Sequence, residues 1–137
     1  MMNTSFRTGF ARMLRPLFGA ALLIASITAG SAVAQPAMVV FFPLWSGALD
    51  DSARDVINHA AAAAKQQPNA HIIVTGYADT LGSVAADQDL SQLRAQRVID
   101  KLTEAGVPAA QMQLVAKGAQ PETGVASRRV EIAISSQ

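Results

Sequence analysis

Two short runs, 38–44 (MVVFFPL) and 71–77 (HIIVTGY), are apolar and rich in β-branched and aromatic residues. An alanine-rich stretch with helical spacing separates them. Such runs read as strands, and the stretch between them as a helix. A strand–helix–strand unit implies parallel neighbouring strands joined by a right-handed crossover, which leaves few folds open. Pro43 must close the first strand, because proline cannot donate to an interior ladder. Asp50 and Asp51 open the helix at the positive end of its dipole. Leu49, Ala53, Val56, Ile57, Ala60 and Ala64 then fall at helical spacing, and Pro68-Asn69 closes the segment after Gln67.

The second half repeats this alternation. Residues 78–86 read as a loop and 90–105 as a second helix, stopped by Gly106 with Pro108 two residues on. Ala95, Val98, Ile99 and Leu102 form its apolar stripe; Arg94 lies at the edge, with Arg97 and Lys101 further out. A third strand is predicted over 111–117, a loop over 118–126, and a half-buried strand over 128–135, where RRVEIAIS alternates polar and apolar. The expected fold is α+β: a β-α-β-α-β-β two-layer sandwich, with two helices on one face of a four-stranded mixed sheet.

The first 34 residues differ from the rest. Arg7, Arg12 and Arg15 precede an apolar run from Leu17, and Ala32-Val33-Ala34 ends it. Basic head, apolar middle and small residues before the cut describe a secretory signal peptide, with cleavage expected before Gln35. An uncleaved anchor is the alternative, since 17–34 is near the lower limit for spanning a bilayer. Residues 35–137 would form one domain, without an integral membrane segment after cleavage. They carry eight Lys and Arg against ten Asp and Glu. That balance argues against nucleic acid as a partner, because phosphate binding needs a basic patch. With no cysteine, neither a disulfide framework nor a lipid-modified cysteine is expected. The expected location is the periplasm.

No residue pattern points to catalysis. HExxH, CxxC, GxxxxGK and GxSxG are all missing from the sequence. His59 and His71 have no orienting partner at a telling spacing, so both are expected to be structural or surface residues. Asp87 and Asp89 fall short of a calcium loop and are expected to begin the second helix. Neither a metal nor a cofactor is expected. Asp79, just past a strand end, and Arg94, on the following helix, share one rim of the sheet. They can pair with each other. They can also divide the work on a zwitterion, the carboxylate taking an ammonium and the guanidinium fork taking a carboxylate. Trp45, the sole tryptophan, is expected to pack into the domain, with an exposed anchor for a partner as the alternative.

In order, GYADTLGS (76–83), LSQLRAQRVIDKLTEAGV (90–107), KGAQPETG (117–124) and SRRVEI (127–132) resemble the OmpA-like peptidoglycan-binding domain. The resemblance covers about residues 38–135. It implies non-covalent binding of cell-wall peptidoglycan through the diaminopimelate of the stem peptide, with Asp79 and Arg94 holding the ligand's charged groups. The ligand-binding set it implies is Asp79, Arg94, Asp87, Ala78, Leu90 and Arg128. Arg129 would point away from Arg128 by strand alternation. Three positions depart from the family pattern. Pro43 stands for an aspartate, Asp87 for an asparagine, and Ser127 for an asparagine. Pro43 loses a side-chain acceptor and a backbone donor together, and Asp87 would repel a ligand carboxylate. These departures leave a second expectation open, that of a degenerate module that binds envelope proteins instead.

Overall fold

The computed structural model describes residues 35–80 and 82–136. The leader expected at 1–34 lies outside the described residues. Strand β1 (Met38–Phe41) is short. Phe42 still donates its N–H to Arg128 O at 2.9 Å, but Pro43 has none to give, so pairing stops there. The run expected to reach residue 44 is therefore cut to four residues. Helix α1 (Asp51–Lys65) follows, capped by Asp50, whose Oδ1 accepts from Ala53 N at 2.7 Å. Its inner face is Ala53, Ile57, Ala60, Ala61 and Ala64, all buried. Small side chains there let the helix lie close on the sheet.

Strand β2 (His71–Ala78) leads into helix α2 (Val84–Glu104). This helix begins six residues before the expected Leu90. Ser83 caps it, with Oγ accepting from Ala86 N at 3.2 Å. The early turns carry no apolar stripe to betray them, and Val84 is 87% exposed. The other end stops where expected. Gly106 has φ +95°, Gly106 N bonds Thr103 O and Val107 N bonds Leu102 O, the double closure of a left-handed cap. A short 3-10 turn leads into strand β3 (Met112–Ala119), and a second (Gly124–Ser127) begins in the expected loop over 118–126 and runs one residue past it, before strand β4 (Arg129–Ser135).

The sheet order is β1-β4-β2-β3. β2 and β3 are parallel, and β4 is antiparallel to both β1 and β2. The expected parallel neighbours β1 and β2 are thus parallel but not adjacent, because β4 lies between them. A helical crossover fixes direction and hand, and it tolerates an inserted strand, so spacing along the chain cannot reveal the insertion. β4 buries Val130, Ile132 and Ile134. These pack with Val40, Ile72, Val74, Ile57, Val98 and Leu102 in a single core between sheet and helices.

One close approach positions the functional end of the domain. A Cβ on Gly76 would overlap the carbonyl oxygen of Ser91. Only glycine lets β2 and α2 come so near. Ser91 itself is fully buried. Its Oγ donates to Gln88 O at 2.8 Å and accepts from Gly118 N at 2.9 Å, tying the end of β3 to the same turn of α2. Arg94 comes three residues later, on the face that meets the end of β2.

Candidate functional site

Arg94 stands at the eleventh residue of α2, about three turns in rather than the one turn expected from a helix starting at 90. It is nonetheless at the rim, because its side chain runs along the helix to the loop between β1 and α1. The residue is 0% exposed. Nε donates to Ser46 O at 2.9 Å, Nη1 to Tyr77 O at 3.1 Å and Nη2 to Pro43 O at 3.1 Å. The guanidinium also lies 5.4 Å from the centroid of the Phe42 ring. Burial lowers its pKa from the ordinary arginine value, Arg128 lowers it further, and Asp79 opposes both. Arg94 is therefore a cation held by three neutral carbonyls. A guanidinium has five N–H donors, so three bonds do not exhaust it.

Asp79 follows the last residue of β2 and is buried. Its Oδ1 accepts from Thr80 N at 3.0 Å, and its Oδ2 accepts from Arg128 Nη1 at 3.4 Å. Arg128 also donates from Nε to Phe42 O at 3.4 Å. The 3-10 turn before it sets its place: Arg128 N bonds Val125 O at 3.1 Å, and Ser127 Oγ donates to Gly124 O at 2.8 Å. The aspartate's ion pair is thus with Arg128, while Arg94 faces the same crevice from below. Together the three charges sum to +1, which favours an anionic group.

The crevice is lined by Leu44, Trp45, Asp79, Leu90, Arg94 and Arg128. It is narrow, with about 170 Å³ of space between these side chains. Four of the six expected residues, Asp79, Arg94, Leu90 and Arg128, meet there. Ala78 does not line it; its side chain is buried, and its carbonyl accepts from Gln120 N at 3.3 Å. Asp87 also lies off the lining. It is 2% exposed, in the first turn of α2, and its Oδ1 has no partner among the described residues. Gly82 packs against it, since a Cβ there would stand 2.9 Å from that oxygen.

Leu44 and Trp45 were missed as crevice residues. Trp45 is 55% exposed rather than packed into the core, and φ is +53°. Pro43 ends the strand just before it, and the chain turns through the left-handed region at Trp45, which turns the side chain outward. A lone tryptophan beside a strand-ending proline was the only available signal. Arg129 lies on the open face of the sheet, its guanidinium 4.1 Å from the centroid of the Tyr77 ring. Its Nε donates to Glu131 Oε1 at 2.8 Å, and Tyr77 Oη donates to Glu131 Oε2 at 3.1 Å.

A roomier groove of about 940 Å³ runs between α1 and α2, beside Leu49, Leu93, Arg97 and Asp100. Its other charged residues include Arg54, Lys101 and Glu104, with side chains 43–64% exposed. Solvated charges offer a ligand little, because water competes for them. Among the described residues no cluster of His, Cys, Asp or Glu could hold a metal ion, and no helix is long and apolar enough to cross a membrane.

A two-layer α+β domain with a charged crevice at one end of its sheet is the class that fold and site define. The chain belongs to the OmpA family, whose model matches residues 41–133. Outer membrane protein A of Shimwellia blattae is 44% identical over 54 residues, 39% of this chain and 22% of that protein. The peptidoglycan-binding protein ArfA of Mycobacterium bovis is 33% identical over 89 residues, 59% of this chain and 27% of that protein. The chain thus spans about a quarter of the length of these relatives. Among solved structures, the peptidoglycan-associated lipoprotein from Burkholderia pseudomallei superposes with a TM-score of 0.65 at 28% identity, covering 71% of this chain and 89% of that one. The C-terminal domain of Helicobacter pylori MotB gives 0.63 at 25%, covering 75% and 86%.

Proposed function

We propose that this protein binds cell-wall peptidoglycan without covalent chemistry, and that the crevice between Asp79, Arg94 and Arg128 takes the diaminopimelate of the stem peptide. One observation carries the reading: a fully buried guanidinium, with donors to spare, shares a crevice with a carboxylate. An α-amino acid terminus is a carboxylate and an ammonium a few ångströms apart. Arg94 offers the fork for the first, and Asp79 offers acceptors for the second. Arg128 can serve either side, by releasing Asp79 or by adding a donor for the carboxylate. The names of ArfA and the peptidoglycan-associated lipoprotein support the ligand class. No nucleophile or general base stands beside the crevice in a catalytic arrangement among the described residues, so the proposed activity is binding. Retention of the purified protein by peptidoglycan sacculi, with release by excess meso-diaminopimelate, tests the reading. Protein that stays in the supernatant refutes it.

Phe41, Leu44 and Trp45 are each about half exposed within five residues. Those exposed apolar side chains favour a second reading, contact with an envelope protein. Capture of a defined envelope protein by the wild type, lost in Leu44→Ser and Trp45→Ser, would favour it. We place the protein in the periplasm, exported by residues 1–34. N-terminal sequencing of the exported protein, expected to begin at Gln35, checks this.

A further inference from the structure

The loop over the crevice is held by the same guanidinium that a ligand would need. Pro43 O and Ser46 O both accept from Arg94, at 3.1 and 2.9 Å, and Trp45 sits between those two anchors. Trp45 is the non-glycine residue at positive φ among the described residues, with φ +53°. Its indole packs on the loop before α2, where two of its ring carbons lie 3.4 Å from the place a Cβ on Gly82 would occupy. The crevice beneath is narrow, with about 170 Å³ of space between its side chains, and the indole stands over part of it.

We propose that Trp45 is the gate of this crevice, and that a ligand carboxylate opens it by drawing Arg94 away from the carbonyls of Pro43 and Ser46. The proposal rests on the ligand-binding reading above. A carboxylate is a charged acceptor that meets a guanidinium as a fork. A carbonyl offers that cation only a dipole, whereas the carboxylate adds a full charge, so the fork competes with the bonds that hold the loop. Once the two carbonyls are released, the turn, which Ser46 N closes on Pro43 O at 3.3 Å, loses its tie to α2 and moves as a unit, carrying Trp45 with it. The indole then swings off Gly82. The gate thereby selects by chemistry. A ligand bearing only ammonium groups can approach Asp79, but it has nothing to offer Arg94, so the loop stays shut. A ligand with both groups opens the site and fills it.

Trp45 is the sole tryptophan, so its fluorescence reports the gate directly. The purified protein is titrated with meso-diaminopimelate and, separately, with cadaverine, which has the same five-carbon spacing between ammonium groups and no carboxylate. Acrylamide quenching of Trp45 is read alongside calorimetric binding. Diaminopimelate is expected to bind and to raise the quenching constant, and cadaverine to leave it unchanged. Trp45→Ala is expected to bind diaminopimelate about 5-fold tighter, because the closed state no longer taxes the affinity. Trp45→Phe, whose smaller ring shuts the mouth less fully, falls between. Diaminopimelate that binds the wild type with quenching unchanged overturns the gate and leaves the binding reading standing. So does a Trp45→Ala protein that binds equally or more weakly. If Trp45→Ala does not fold, the wild-type quenching result decides alone. No binding of diaminopimelate to either protein, together with no retention by sacculi, overturns both proposals.

Discussion

Asp79 Oδ2 and Arg128 Nη1 face each other at 3.4 Å across the seam between the end of β2 and the start of β4. A relaxed charge-assisted bond is shorter, about 2.8 Å. The pair is mostly shielded from water, the Asp79 side chain 9% and the Arg128 side chain 17% exposed, yet it is not tightly closed. Asp79 therefore adds modestly to folding. Asp79→Ala is expected to lower stability by about 1 kcal/mol, read as a small drop in urea midpoint at unchanged slope. A loss several times larger would make Asp79 chiefly a structural anchor.

Arg94 is the opposite case. Arg94→Ala removes a fully buried cation and its bonds to the carbonyls of Pro43, Ser46 and Tyr77, leaving Pro43 O with the bond from Ser46 N. Each lost hydrogen bond from a charged donor costs about 1.5–3 kcal/mol. The variant is expected to lose about 3 kcal/mol or more in urea unfolding. Arg94→Lys should recover part of this, since an ammonium can reach some of the carbonyls but lacks the planar fork. Equal stability of all three proteins would show that the guanidinium does not hold the loop.

Gly76 tests how close β2 and α2 lie. The overlap of an added Cβ with Ser91 O involves backbone on both sides, which a rotamer change cannot relieve. Gly76→Ala is expected to cost about 3 kcal/mol, at the upper end for overpacking, and to disturb the Arg94 crevice as well. Thermal melting that matches the wild type would mean the two elements stand further apart.

Tyr77 gives a pH signature. Burial holds its phenol above the ordinary tyrosine value, and the neighbouring Glu131 carboxylate adds to this, against the opposing pull of Arg129. The folded pKa is raised relative to the unfolded chain. Its contribution to stability is therefore fully present below about pH 10 and is lost as pH rises through the folded pKa. As the sole tyrosine, it can be followed by absorbance near 295 nm. The midpoint should lie above that of free tyrosine and fall in Glu131→Gln. A midpoint at or below the free value would contradict the Tyr77–Glu131 contact.

Much of this was legible in the sequence because it depends on local pattern. β2, the body of both helices, the stop at Gly106 and the alternation in β4 follow from periodicity and capping. Asp79, Arg94, Leu90 and Arg128 were found through a resemblance that spans several elements. What was hidden depends on tertiary contact. The first turns of α2 carry no stripe, so its start showed only in the acid at Asp87 and the capping type of Ser83. The insertion of β4 between β1 and β2 leaves no mark on chain spacing. That Arg94 is engaged by Pro43 and Ser46, and that Trp45 stands over the crevice, depends on a turn whose course no local pattern dictates.

Co-sedimentation with purified peptidoglycan sacculi, comparing wild type with Asp79→Ala, tests the central claim most directly. Asp79 is the better probe because its loss leaves the Arg94 bonds to the loop in place. The wild type should pellet with sacculi, and folded Asp79→Ala, checked by its melting transition, should remain in the supernatant. Pelleting of Asp79→Ala to the same extent as the wild type would contradict the assignment of this crevice as the peptidoglycan site.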